Sequence, residues 1–217
     1  MVWIHGGFLQ FGSGHQPGLR PSGKLAKMTD KVYVSLNYRL YAFGFMPLDL
    51  LVNDTNNGTD DNPFPNDTNS TNFGLMDVVL ALHWIQDNIR SFGGDPRKVT
   101  LFGADSGAAL ILAIISNKNL KHLYSNSWLI NPALYLNHTF AEVSTHNKKN
   151  FLKHSGCKTL DCLRSLSSTQ VVDYFLGKND PSFRINDQND LPILGIMSEQ
   201  LIIIDGNYNG FPFCFSR

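Results

Sequence analysis

The sequence predicts an α/β protein: a mostly parallel central sheet with helices on both faces. Two observations lead there. Short, continuously apolar runs such as "MVWIHGG", "KVTLFG" (98–103) and "LIIIDG" (201–206) read as buried strands. Helical patterns lie between them, so strand and helix alternate along the chain. The 217 residues suffice for one domain with a sizeable core, or for part of a larger one. With 42% hydrophobic residues the chain reads as globular rather than disordered.

The first strand, "MVWIHGG", ends in a glycine turn, and "KVYVSLNY" (31–38) follows as the second. Residues 74–94 carry Leu75, Val78, Val79, Leu82, Ile85 and Ile89 at helical spacing, and Gly93-Gly94 with Asp95-Pro96 ends that helix. Asp77 is expected near its start, placed to meet the helix dipole. Strand 98–103 then enters a glycine-containing turn, and "GAALILAIISN" (107–117) continues as an almost wholly apolar helix. "SWLINP" (127–132) and 201–206 read as further short buried strands. Residues 53–72 are built mainly from Asn, Asp, Thr, Ser and Gly. Such a stretch buries too little apolar surface to offset ordering its backbone, about 1–2 kcal/mol per residue, and is expected as a low-complexity surface insertion.

Lysine plus arginine equals aspartate plus glutamate at 18 each, with no basic block, so nucleic acid is not an expected partner. No apolar run approaches the length of a membrane span. Five N-x-Ser/Thr sequons, at Asn53, Asn57, Asn66, Asn69 and Asn137, are candidate glycosylation sites on a secretory route. No signal peptide opens the chain. Cys157 and Cys162 stand five apart, too far to bridge within a regular helix; they are either free thiols or a disulfide that includes a loop. Of the seven histidines, His138, His146 and His154 are spaced eight apart without a zinc-type pattern, so neither metal nor cofactor is expected.

"VWIHGGFLQFGSG", "VSLNYRL", "NFGLMDVVLALHWIQDNIRSFGGDPRKVTLFG" and "GC…CLRSL" together resemble the type-B carboxylesterase/cholinesterase family of α/β-hydrolases, in order and spacing, to about residue 170. The resemblance implies an α/β-hydrolase fold. It also implies that residues 1–217 are a partial domain, incomplete at both ends. Cys157 and Cys162 then match the cysteines that close a small disulfide loop in the family, while Cys214 has no partner in view. Arg39 of "NYRL" is expected against a carboxylate near the sheet edge.

The same resemblance makes the turn after "VTLFG" the nucleophile elbow. Active family members read G-E-S-A-G there; this chain reads G-A-D-S-G, with Asp105 between Gly103 and Gly107. The glycines suit a strained strand-to-helix turn, where side chains two residues to either side would collide. Three readings stand. Asp105 is inert; or it is a carboxylate nucleophile, as in haloalkane dehalogenases and epoxide hydrolases; or Ser106 attacks after a one-residue shift. The family's oxyanion loop falls on Gly6, Gly7 and Phe8, with the amides of Gly7, Phe8 and Ser106 as donors. Phe8 replaces a glycine, and its ring is expected to press on the acyl space. His5 is expected to be a structural hydrogen-bonding residue.

The acid position falls on Asn209, by an alignment lacking one residue, with Asp205 as a substitute. No histidine follows His154, where the family places its general base. The expected function is a carboxylesterase/cholinesterase-like domain without ester hydrolysis, secreted or at the cell surface, binding a protein partner as the family's adhesion members do. The alternative is an active carboxylic-ester hydrolase using Asp105 or Ser106.

Overall fold

A computed structural model describes residues 1–48, 72–132 and 140–176. They fall into two compact units, one of residues 1–40 and 73–132, the other of 41–48, 72 and 140–176. The predicted strand 201–206, the five sequons, Asp205, Asn209 and Cys214 lie outside the described residues. Of the 53–72 stretch only Asn72 is described, and it is buried.

The first unit carries a four-stranded sheet, β1 (Val2–Ile4), β2 (Val34–Ser35), β3 (Thr100–Ala104) and β4 (Asn126–Ile130), in the order β2-β1-β3-β4. Every pairing is parallel, as the continuous apolar runs predict. All three residues of β1 are buried, so both of its faces are covered. Trp3 faces Phe102 in register, ring centroids 5.0 Å apart, and Tyr33 meets Phe102 edge-on. On the other face Ile4 and Leu101 are fully covered.

The second predicted strand forms ladder only at Val34–Ser35, because β2 is the last strand on its side among the described residues and is only half-buried. The strand predicted at 127–132 forms, but it is not buried. Trp128 is 60% exposed, and β4 pairs on one side only among the described residues.

Helix α1 (Gly23–Thr29) is capped by Ser22, whose hydroxyl accepts from the Leu25 N–H. Helix α3 (Phe73–Asn88) buries Leu75, Val78, Val79, Leu82 and Ile85, each worth roughly 1.5–3 kcal/mol of apolar burial. It ends earlier than the spacing suggests. Ile89–Phe92 tightens into a 3₁₀ turn, which Gly93 closes at φ 81° while the Gly94 N–H returns to the Ile89 carbonyl. Asp95 then caps the next turn, accepting from the Arg97 N–H, with Pro96 in its first position. Asp77 is not in the first turn of α3. Instead it is the carboxylate partner of Arg39, holding both its guanidinium and its backbone N–H at 2.8 Å.

Helix α4 (Ser106–Ser116) is buried over most of its surface and packs on β3, β4 and β1. Its approach depends on two glycines. A Cβ on Gly107 would lie 2.2 Å from the Ile4 carbonyl oxygen, and one on Gly103 would lie 2.9 Å from both that oxygen and the Gly107 carbonyl carbon. The collision is therefore with strand β1 as well as across the bend.

The second unit contains α2 (Tyr41–Gly44), α5 (Phe140–Asn147), a π-helical turn (Lys148–Leu152), α6 (Lys153–Ser155), α7 (Leu160–Ser165) and α8 (Ser168–Leu176). Phe151 is fully buried, Tyr41 meets Phe175 edge-on at 4.8 Å, and the Asn147 amide donates to the Pro47 carbonyl. Cys157 and Cys162 form a disulfide with Cα atoms 5.5 Å apart. Gly156, at φ 68°, ends α6 and starts the loop that this spacing needs, and Thr159 caps α7 through the Cys162 N–H.

Gly107→Ala is expected to cost about 1–3 kcal/mol or more of unfolding free energy, since α4 must part from the backbone of Ile4 and His5. Gly23→Ala on α1, where a Cβ meets nothing within 4 Å, should be neutral or stabilising by about 0.4–1 kcal/mol. Urea unfolding of the two variants checks the contrast.

Candidate functional site

The site forms where the loop after β1 meets the turn between β3 and α4, all within the first unit. Asp105 occupies that turn at φ 55°, ψ −127°, a left-handed backbone that costs a residue with a Cβ about 1–2 kcal/mol. Neighbouring bonds hold it there. Its N–H donates to the Ile130 carbonyl at the end of β4, and its carbonyl accepts from the Ala109 N–H in α4. The turn therefore has the strained form that the two glycines predict.

The opposing loop runs through three positive φ angles in succession, Gly7 at 122°, Phe8 at 56° and Leu9 at 61°. Such a backbone turns consecutive N–H groups to one side and makes a cradle for negative charge. The Gly7 and Phe8 N–H groups both donate to Asp105 Oδ2, at 2.9 and 3.1 Å. The next N–H, of Leu9, donates to Ser106 Oγ at 3.1 Å. A charged acceptor makes such bonds stronger than neutral ones.

The loop is pinned from behind as well. The Gly7 carbonyl accepts from the N–H groups of Gln10 and Phe11, and Asn37 Oδ1 accepts from the Gly14 N–H and the Ser13 hydroxyl. Gly6 must lack a side chain, since its Cβ would lie 2.7 Å from the Ala104 carbonyl oxygen and 3.1 Å from Asp105 Oδ2.

Of the residues assigned from the sequence, Gly6, Gly7, Phe8, Asp105 and Ser106 all come together here. Phe8 keeps its amide in use despite its Cβ. Its ring is 39% exposed and stands 6.1 Å from that of Phe11. Ser106 is buried. His5 sits within the loop as the sequence reading expects of a hydrogen-bonding residue: its Nδ1 bonds to the Gly6 carbonyl, its ring stacks on Tyr38 at 4.4 Å, and its buried Nε2 has no partner among the described residues.

Sequence reasoning left Tyr38, Asn37 and the Leu9 amide without roles. Tyr38 donates to the His5 carbonyl at 2.7 Å. Burial raises its pKa first, a hydrogen bond with Ser106 opposes this, and the nearby Asp105 charge adds to it. "NYR" offered a signal, two hydrogen-bonding side chains directly after a strand; nothing in a leucine marks its amide. Among the described residues no group of three or more His, Cys, Asp or Glu could hold a metal ion.

Burial lowers the His5 pKa, with the Gly6 hydrogen bond opposing. The folded protein therefore binds this proton more weakly than the unfolded chain does. The His5 contribution is fully present above the unfolded value of 6.5 and is lost as pH falls below it. Unfolding free energies of the protein and of His5→Asn, measured from pH 8 to 5, should show their difference shifting against the natural protein below pH 6.5. A difference that stays flat contradicts this.

The carboxylesterase family model matches residues 1–198. Neurotactin of Drosophila melanogaster is 32% identical over 160 residues, which cover 73% of this chain and 18% of that protein. Para-nitrobenzyl esterase of Bacillus subtilis (strain 168) is 39% identical over 127 residues, covering 58% of this chain and 23% of the enzyme. The crystal structure of carboxylesterase EST55 from Geobacillus stearothermophilus superimposes with a TM-score of 0.72 at 27% identity, covering 97% of this chain and 40% of that one. The chain thus spans less than half the length of each of these relatives. Its parallel sheet and helices are an α/β-hydrolase fold, and the chain belongs to the carboxylesterase family.

Proposed function

We propose that this chain is a carboxylesterase-type domain that works by binding, secreted or at the cell surface, and does not hydrolyse esters. One observation carries the reading: the Asp105 carboxylate already accepts the N–H groups of Gly7 and Phe8. Ester hydrolysis needs such donors free to receive the carbonyl oxygen as it becomes an oxyanion, and losing one donor costs about 10²–10³ in turnover. Here an internal anion occupies two. A substrate would have to displace it and leave a carboxylate beside the helix without those bonds. Ser106 offers no easier route, since its buried hydroxyl is engaged by the Leu9 amide.

The binding half of the reading draws on what the loop presents. Phe8 and Phe11 are 39% and 49% exposed on a backbone fixed from both sides. Aromatic anchors held in place before contact lose little entropy on association, which suits a protein partner. Neurotactin and an esterase both stand among the relatives, so family membership fits either outcome, and the filled donors favour the binding reading.

The test is hydrolysis of 4-nitrophenyl acetate by the longest natural form of the protein, beside Asp105→Ala and Ser106→Ala. The expected result is no turnover above buffer in any of the three. Turnover by the natural protein that either substitution lowers by about 100-fold or more would identify a working nucleophile and overturn the proposal.

A further inference from the structure

The chain is neutral overall, yet its charge is unevenly spread. Residues 148–164 hold five of the 18 lysines and arginines, Lys148, Lys149, Lys153, Lys158 and Arg164, against the single carboxylate Asp161. The fold draws three of these together. The π-helical turn, α6 and the loop to the disulfide frame an open groove of about 520 Å³, lined by Lys148, Leu152, Lys153, Gly156, Cys157 and Lys158. All three lysines are exposed, and no carboxylate is part of the lining.

We propose that this groove binds a linear sulfated polysaccharide. Lysine ammoniums are compact charges on flexible stems, suited to sulfates repeated along a chain and needing no planar fork. The lining argues against the other polyanions. Protein interfaces centre on apolar or aromatic anchors; this lining has no aromatic residue, and its apolar area comes from the lysine stems, Leu152 and the disulfide edge. Single-stranded nucleic acids need rings for base stacking, but the aromatic residue of this turn, Phe151, is 1% exposed and faces the core. The disulfide wall fits an oxidising compartment. The choice of polyanion rests on the secreted or cell-surface reading proposed above, under which sulfated polysaccharide is accessible. The groove is built from residues 148–158 of the second unit and includes neither Asp105 nor the loop that meets it, so the proposal stands independently of ester chemistry.

The test measures fluorescence anisotropy of a labelled heparin dodecasaccharide with the full chain at physiological salt. The natural protein should bind it, and fully desulfated heparin should not compete. Lys148→Ala/Lys153→Ala/Lys158→Ala should weaken binding at least tenfold, while Lys→Arg at the same positions should stay within twofold. Lys24→Ala/Lys27→Ala/Lys31→Ala removes three exposed charges around α1 and should also stay within twofold. Absence of binding by the natural protein, loss in the arginine variant, or equal loss in the two alanine triples would overturn the proposal. Displacement by poly-glutamate or oligothymidylate at equal charge concentration would assign the groove to an acidic peptide or a nucleic acid and overturn it too.

Discussion

Three successive amides, those of Gly7, Phe8 and Leu9, close onto two successive side chains, Asp105 and Ser106. Two segments nearly a hundred residues apart in sequence are joined by this contact, and each carries backbone strain that the contact helps to hold. Phe8, Leu9 and Asp105 all have left-handed backbones without being glycine, at about 1–2 kcal/mol each. Without an acceptor, the buried Leu9 amide would carry a desolvation cost of about 1–3 kcal/mol. The loop keeps its shape because the elbow supplies those acceptors.

The arrangement requires close approach below it. Gly103 and Gly107 let α4 lie against the Ile4 carbonyl, and Gly6 lets the loop pass over Ala104 and Asp105. β1 and β3 are paired up to Ile4 and Gly103, so the loop and the elbow leave the sheet from adjacent strand ends. A preorganised set of donors is what ester hydrolysis would need; filled by an internal carboxylate, the same donors become a fastening. In the proposed reading, that fastening holds the loop bearing Phe8 and Phe11 as a rigid surface.

Much of this was legible in the sequence because it rests on local rules. Continuous apolar strands gave parallel pairing, helical spacing gave α3, and the glycines around Asp105 gave the elbow. Other features depend on what a segment meets in space. The strand at 127–132 has enough apolar residues to look buried, but Trp128 and Ile130 are exposed, since apolar composition alone does not show whether another element covers a strand's face. Asp77 looked like a dipole partner until Arg39, 38 residues away, came against it. The filled cradle was the least legible feature. Its donors are backbone amides, and only the folded loop, with positive φ at Gly7, Phe8 and Leu9, turns them onto Asp105 and Ser106. The lysine groove was hidden for a similar reason, since Lys148, Lys153 and Lys158 stand five apart in sequence and only the fold brings them to one groove.

Hydrogen exchange of the Gly7 and Phe8 amides, in the natural protein and in Asp105→Ala, tests most directly whether the carboxylate occupies the donors. Protection in the natural protein should fall at least about tenfold in the variant, the loss expected for removing one acceptor. The Leu9 amide, bonded to Ser106, and the amides of β3 should keep theirs. Gly7 and Phe8 amides that exchange freely in the natural protein, or equally slowly in both, would contradict the account.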